Sequence, residues 1–450
     1  MTLDPVAAAM TRKSMRRFPG RTTTSIAVAG SLVMATVSPV AAAPAPGGPT
    51  SRVSVSTAGA ESDGESFAPA VSGDGRYVAF WSTGSSLVAG DTNTTADVFV
   101  RDLRTRTTTR VSVATDGAQA DQEASEPSIS GTGRYVAFSS HATNLVPGDT
   151  NDRGDIFVRD RTAATTTRVS VTGAGAEADN TSHSPAISAD GRFVVFVSYA
   201  TNLVSGDTNG FEDVFVHDRR SGTTRRVSVS TAGAEADERS INPAVTADGR
   251  YVVFGSFASN LEPGGAAGIF VRDLRRNRTD LVSRTDADQP AGGNLGLDAA
   301  ISAQGRYVAF YTDAADVVPG DTNNVQDIFV RDLRTGSTSR AGLSGTGLQG
   351  DDNSLAPAIS GDGRFVAFES YATNLVPGDT NGFEDVFVQD RWTGSLRRVS
   401  VSGSGAEGDS VSNAAALSAD GSRVAFVSYA TNLVPDDGNH LVDVFAAPRR

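Results

Sequence analysis

The sequence predicts an all-β chain: a seven-bladed β-propeller of four-stranded antiparallel blades, closed by an N-terminal strand D that pairs with the C-terminal blade. Three observations carry this. The phrase GRYVAF, or a close variant, recurs with its arginine at Arg76, Arg134, Arg192, Arg250, Arg306, Arg364 and Arg423, at spacings of 58, 58, 58, 56, 58 and 59 residues. Each unit holds four short apolar runs bounded by Gly, Asp, Asn or Ser, the pattern of strands rather than helices. The array opens on an orphan strand, RVSVS at 52–56, and ends on DVFAAP, one strand short of a unit.

The third copy shows the elements in order: SPAIS, the turn ADG, RFVVFVS, a long loop YATNLVSGDTNGFE, DVFVHD, the turn RRSG, and TTRRVSVS. The Asp-Gly pair after the first run is a two-residue hairpin signal, so the runs form a meander of strands A to D. Strand B is apolar on both faces, with Tyr77, Ala79 and Trp81 on one side and Val78 and Phe80 on the other. Such a strand needs cover on both faces, which stacking each sheet between two copies of itself supplies. Strand B carries Phe80, Phe138, Phe196, Phe254, Phe310, Phe368 and Phe426. Strand C carries Phe99, Phe157, Phe215, Phe270, Phe329, Phe387 and Phe445, and together these are 14 of the 21 phenylalanines. Their places make them inter-blade core. The orphan strand at 52–56 completes the last blade by pairing with 442–446, which removes two exposed edges. Arginine at the start of strand B lies opposite aspartate at the end of strand C, in the pairs Arg76–Asp102, Arg134–Asp160, Arg192–Asp218 and Arg364–Asp390; a guanidinium–carboxylate fork there fixes register. In the seventh blade Ala447 is expected in the aspartate's place.

The propeller is assigned to 52–447, behind a signal peptide at 1–42 and a linker at 43–51. Arg12, Lys13, Arg16, Arg17 and Arg21, against the single acid Asp4, precede the apolar run SIAVAGSLVMATVSPV and then AAAPAPGG. That is the order of a secretory signal, with cleavage after Ala42. The run is too short and too polar for a membrane span, so no integral membrane segment remains after cleavage. The mature chain is expected to be secreted or extracytoplasmic, at the cell envelope. Arg16-Arg17-Phe18 leaves the general secretory and twin-arginine routes both open. There is no cysteine, which excludes disulfides, thiolate metal sites and cysteine nucleophiles. The formal charge of −13 becomes about −17 without residues 1–42; an acidic surface repels phosphate backbones, which argues against nucleic acid as a partner.

In a propeller the D-to-A and B-to-C connections share one face. The B-to-C loop carries Asp-x-Asn-x-x-x-Asp at Asp91/Asn93/Asp97, Asp149/Asn151/Asp155, Asp207/Asn209/Asp213, Asp321/Asn323/Asp327, Asp379/Asn381/Asp385 and Asp437/Asn439/Asp443, while the fourth copy has the shortened EPGGAAG. Calcium is bound by clustered oxygens, so two carboxylates and an amide make each loop a candidate calcium site, although no cofactor is required. The competing assignment is turn capping by Asp and Asn. The D-to-A loop, patterned G-A-E-A-D, supplies Asp63, Asp121, Asp179, Asp237, Asp288, Asp351 and Asp409. Strand A is innermost, so these acids are expected to form a collar at the channel mouth, either collecting cations or a basic partner or satisfying turn amides.

The units resemble the TolB-like propeller repeat, a relative of the WD repeat, in SADGRFVVF at 188–196 and DVFVHD at 213–218, and the likeness extends over about 400 residues. The resemblance implies a bacterial, exported propeller. This repeat departs from the family by its longer B-to-C loop.

Catalytic signals are scarce. His141, His183, His217 and His440 fall at four different repeat positions, and there is no Gly-x-Ser-x-Gly elbow. Rings of near-identical loops suit repeated, shallow recognition. The chain is therefore expected to be a monomeric binding or scaffold module that recognises a protein or glycan through its loop face, with calcium as a candidate stabiliser. The alternative is a secreted hydrolase or lyase with its site at the channel mouth, where His183, Glu126 and Arg239 break the symmetry. Tyr199, Phe257, Tyr371 and Tyr429, near the top of strand B, are placed either to stack on a glycan or to pack between blades.

Overall fold

In the computed structural model, residues 49–294 and 296–449 are described; the predicted signal peptide and most of the predicted linker lie outside them. Runs of β-branched and aromatic residues, broken every few positions by Gly, Asp or Ser, favour strands and turns over helices. Among the described residues every regular element is a strand, and 28 strands form seven sheets of four. In the first blade these are A, Ser66–Val71; B, Tyr77–Ser82; C, Asp97–Asp102; and D, Thr107–Arg110, paired antiparallel in that order. The A-to-B turn is wider than the two-residue hairpin expected: Ser72 N donates to Tyr77 O, and inside that pair Gly75 N donates to Ser72 O, both at 2.9 Å. Asp74 accepts from Ser72 Oγ at 2.6 Å and braces the turn, while Gly75 takes the positive φ of 68° that it needs.

Strand B packs as its two apolar faces require. Ala79, with Val98 and Val100, meets Val136, Phe138 and Phe157 of the second blade, whereas Val78, Phe80 and Phe99 meet Val427, Val444 and Ala446 of the seventh. All 14 phenylalanines of strands B and C are fully buried. They stack in pairs within each blade at centroid separations of 5.7–5.9 Å. At about 1.5–3 kcal/mol for each buried ring, they are the main adhesive between blades.

The A strands line the axis. Where they enter the A-to-B turns, seven small residues meet: Gly73, Gly131, Ala189, Ala247, Ala303, Gly361 and Ala419 bound a cavity of about 170 Å³ together with Val71, Ile129 and their counterparts. Backbone bonds of 2.8–3.1 Å run from Gly131 N to Ala189 O, Ala189 N to Ala247 O, Ala247 N to Ala303 O, Ala303 N to Gly361 O and Gly361 N to Ala419 O, and Asp420 N donates to Gly73 O. A Cβ on Gly131 would lie 3.1 Å from that of Ala189, so this collar of main chain accepts only the smallest side chains.

The ring closes at the predicted seam, but the closing strand is Ser51–Arg52 rather than 52–56, since Val55 turns away to bridge Glu61. Ser51 pairs with Ala446 and Arg52 with Phe445, and Val53 N donates to Val444 O at 2.7 Å. The four predicted forks are formed, as are Arg250–Asp273 and Arg306–Asp332, all with Nη2–Oδ2 distances of 2.5–2.7 Å. The Arg134 hydrogen bond is the first cause holding the Asp160 carboxyl down at about 2. The seventh blade requires a correction. In GSRVAF the arginine stands one place later than in GRYVAF, so Ser422 fills the slot of Arg76, and Arg423, paired with Pro448, fills that of Tyr77. Pro448, rather than Ala447, occupies the aspartate's place. Two blades are irregular: the fourth joins Ser256 to Gly268 by a shortened loop, and strand A of the fifth is reduced to Ala300–Ile301.

Candidate functional site

The D-to-A and B-to-C loops meet on one face and interlock. Glu177, in the loop leading into the third blade, accepts from Thr150 N in the second blade's B-to-C loop at 3.1 Å. Two residues on, Asp179 accepts from Thr201 N and Oγ1 of the third blade at 2.8 Å each. The loop is thereby pinned to the blades on both sides of it. Asp63, Asp121, Asp237, Asp351 and Asp409 accept likewise from Ser85, Thr143, Ser259, Thr373 and Thr431. These carboxylates stand at the surface, but their oxygens are taken up by turn donors. Asp288 does not belong with them. The bridge Arg284↔Pro290 corresponds to Val171↔Glu177, which puts Gly292 in the collar position. Asp288 instead occupies the loop tip, with φ of 61° where the third copy has Gly175, and pairs with Arg331 at 2.8 Å.

The Asp-x-Asn-x-x-x-Asp loops enclose a cation, and that cation is an arginine side chain. Arg110 reaches Asp91 at 3.0 Å and Asp97 at 3.1 Å; Arg168 reaches Asp149 and Asp155, both at 3.1 Å; Arg226 reaches Asp207 at 3.2 Å and Asp213 at 3.0 Å. Arg340 does the same for Asp321 and Asp327, Arg398 for Asp379 and Asp385, and Arg52, across the seam, for Asp437 and Asp443. The asparagine tightens each knot: Asn93 Nδ2 donates to Asp97 Oδ2 at 3.1 Å and to Ala120 O of the following loop at 2.9 Å, with equivalent bonds at Asn151, Asn209, Asn323, Asn381 and Asn439. Burial, ahead of every other cause, pushes Asp91, Asp149, Asp207 and Asp379 up to about 6, with the guanidinium opposing it. The charge that the sequence assigned to calcium is thus supplied from within the fold, and among the described residues no group of three or more His, Asp or Glu is arranged to hold a metal ion. The fourth blade has Leu281 opposite Phe270 where the others place this arginine, and Gly268 where they place the second aspartate. The arginine was the missed residue, and its signal is that it comes and goes with the aspartates from copy to copy.

Along the channel wall the seven-fold symmetry gives way to two polar networks. In blades two to four, His183 Nε2 lies 3.3 Å from Glu212 Oε1, its Nδ1 lies 3.0 Å from Ser184 Oγ, and Glu126 accepts from Ser184 N at 2.7 Å. Burial acts to raise Glu212, but the His183 and Tyr199 hydrogen bonds and the charges of His183 and Arg239 leave it lowered. The three residues singled out in the sequence, Glu126, His183 and Arg239, therefore belong to one neighbourhood. In blades four to seven, Tyr311 OH donates to Asp298 Oδ2 at 3.3 Å, Asn242 Nδ2 donates to Asp298 Oδ1 at 2.5 Å, and Glu369 accepts from Ala414 N at 2.5 Å. Burial first, and then the neighbouring Glu384, push Glu369 up to about 8. This second network was not foreseen, because the place of Glu369 is held by Trp81, Val197 and Val427 in other copies.

One residue beyond strand B stand Thr83, His141, Tyr199, Phe257, Asp313, Tyr371 and Tyr429, a ring side chain in five of seven blades. Tyr199, Phe257, Tyr371 and Tyr429 are 41–45% exposed, and Phe211 and Phe383 in the B-to-C loops 38% and 40%. Packing between blades does not account for surfaces so open. Tyr199 N donates to Thr181 O, Phe257 N to Arg239 O, Tyr371 N to Asn353 O and Tyr429 N to Val411 O, all at 2.9–3.1 Å. These bonds hold each ring beside the entry to strand A, at the channel mouth.

The chain matches no protein-family model and no curated protein. Its fold is similar to that of solved propellers. The β-propeller domain of the Trilobed protease from Pyrococcus furiosus, described as having an open velcro topology, gives a TM-score of 0.53 at 14% identity, over 86% of this chain and 94% of that one. An oligogalacturonate lyase in complex with manganese gives 0.52 at 11% identity, over 89% and 96%. TolB from Acinetobacter baumannii gives 0.39 at 14% identity, over 84% and 81%. At these identities the likeness is one of fold.

Proposed function

We propose that the protein is an exported binding module that recognises a protein or glycan partner through its loop face. The observation that carries this reading is the set of exposed rings, Tyr199, Phe257, Tyr371 and Tyr429, repeated at one place around the channel mouth. Each leaves part of an apolar ring in water that folding ordinarily covers, Phe257 with the Arg239 guanidinium 4.4 Å from its centre, on main chain fixed by hydrogen bonds. Rings held this way lose little freedom on contact, which lowers the cost of binding. Export rests on the signal sequence at 1–42. To test this, the mature chain is applied to a glycan array and to cell-envelope extract beside a Tyr199→Ala/Tyr371→Ala/Tyr429→Ala variant. A ligand retained by the wild type and weakened about tenfold or more in the variant is the expected result. Nothing retained, or equal retention by both, would overturn the reading.

A secreted hydrolase or lyase is the second reading, favoured by the His183–Glu212 pair with Ser184 and Glu126 beside it; an oligogalacturonate lyase shares the fold. His183→Ala separates the two: turnover of an offered polysaccharide that this change abolishes, with binding retained, would put the second reading first. Calcium would stabilise the Asp-x-Asn loops only by competing with the arginine that each of them already holds. A melting temperature that does not move during calcium titration would remove it.

A further inference from the structure

The fourth blade, which lacks the arginine knot, carries arginines elsewhere. Where blades one, two, three, five and six have Thr105, Ala163, Ser221, Thr335 and Thr393, it has Arg276; where they have Thr107, Thr165, Thr223, Ser337 and Ser395, it has Arg278. Both line a groove of about 600 Å³ between the fourth and fifth blades, whose other wall includes Arg334. The groove lacks an arginine that fills other interfaces, a change it shares with Leu103 and Leu274 of the first and fourth blades. At four other interfaces an arginine lies over a ring of the preceding blade: Arg161 over Tyr77, Arg219 over Tyr135, Arg391 over Tyr307 and Arg449 over Phe365, at 3.8–4.9 Å from the ring centre. Here that position is Leu333, which packs in the same cluster as Tyr251, and the Tyr251 ring carries only the guanidinium of its own blade's Arg250, 4.6 Å from the ring centre.

The charges in this groove are available. Arg276, 75% exposed, has Asp273 no nearer than 4.0 Å, and Arg278, 64% exposed, pairs only with Asp280 on its own strand. Among the described residues Arg334 has no side-chain partner. Exposed pairs of this kind contribute little and exchange readily. Six arginines line the groove against four carboxylates, and Glu262 and Asp288 are already taken up by Arg284 and Arg331. A surplus of guanidinium in one groove of a chain with a net charge of −13 is the opposite of what solubility alone would select.

We propose that this groove binds a short acidic oligosaccharide, its carboxylate or sulfate groups on Arg276, Arg278 and Arg334. The guanidinium fork matches either oxyanion with two parallel hydrogen bonds. Leu333 and Tyr251 offer an apolar wall to the C–H face of a sugar, and Asp280 accepts from hydroxyl groups. The volume lies in the range of small-ligand sites. The acidic surface beyond the groove repels a long polyanion, which favours a short ligand. The site lies along the C-to-D turns and strand D, so it does not rest on the loop-face reading.

The test is calorimetric titration of the mature chain with an oligouronate, a sulfated oligosaccharide of equal length, a neutral one and a short single-stranded oligonucleotide, at low and high salt. The comparison protein is Arg276→Thr/Arg278→Thr, which installs residues that sister blades already carry at these places. The expected result is salt-sensitive binding of an acidic sugar, none of the neutral one, and a loss of about tenfold or more in the variant at unchanged melting temperature. Whichever acid binds identifies the oxyanion. Arg334→Ala, on the facing blade, gives the same loss and serves as the second variant. Failure of both acidic sugars to bind, equal binding by wild type and variants, or tighter binding of a short single-stranded oligonucleotide would overturn the proposal. Retention of the sugar by the triple tyrosine variant separates this site from the loop face.

Discussion

Arg168 sits between Asp149 and Asp155 with all three side chains almost out of water. Removing one partner of such a group leaves the others charged and buried, which costs about 3 kcal/mol, so Arg168→Ala should lower the urea midpoint accordingly. Replacing the aspartates at the same time, as the fourth blade does, should recover much of the loss. Glu369 gives a pH prediction. Its folded-state value, raised from 4.5 to about 8 by burial and Glu384, means that the native state holds this proton more tightly than the unfolded chain. Its contribution is full below about 4.5 and is lost as pH rises through about 8. The melting temperature of the wild type should fall across that window, and that of Glu369→Gln should fall less. At this scale the sequence shows motifs but not their partners. Asp97 and Asn93 are four residues apart and recognisable together, whereas Arg110 is thirteen residues from Asp97 and reaches it only across a strand pairing.

The strands themselves were legible because each is bounded by its own turn residues and strands B and C carry phenylalanine at a fixed place, and the seam was legible because RVSVS at 52–56 repeats the end of other copies. What failed was counting where a copy departs from the pattern. Ala447, expected in the aspartate's place of the seventh blade, is displaced by Pro448 because the arginine of GSRVAF fills a tyrosine's slot, and Asp288, expected in the collar, is moved to the loop tip by an insertion. The A-to-B turns are shaped by contacts that no single copy reveals, since Gly131 needs its shape because of Ala189 in the next blade. Gly131→Val should therefore cost about 1–3 kcal/mol by overpacking, read as a lower melting temperature, whereas a valine at Gly90, which has no neighbour within 4 Å, meets only its positive φ of 79°.

At the scale of the whole ring, the number of blades follows from the count of repeats and the mode of closure from the two incomplete ends. The differences between one side of the channel and the other did not follow, because Glu126 meets Ser184 and Glu369 meets Ala414 only when neighbouring blades are stacked. Deleting residues 43–56 from the mature chain removes the closing strand, the Arg52 knot and the Val53 contact together. It should lower the melting temperature and turn a single unfolding transition into a broad one, with self-association through the bared edge of Asp443–Pro448 visible by gel filtration.

The closing contact joins Ser51 to Ala446, 395 positions away along the chain. The first strand to be synthesised therefore has no partner until the last has been made, and contacts so remote in sequence form late. An exporter that threads an unfolded chain delivers the two halves of this clasp to the far side in succession, and the ring shuts there. An exporter that carries only finished folds would have to wait for the clasp to shut first. If the chain is exported as proposed, the position of this one short strand makes closure follow transport on the first route and precede it on the second.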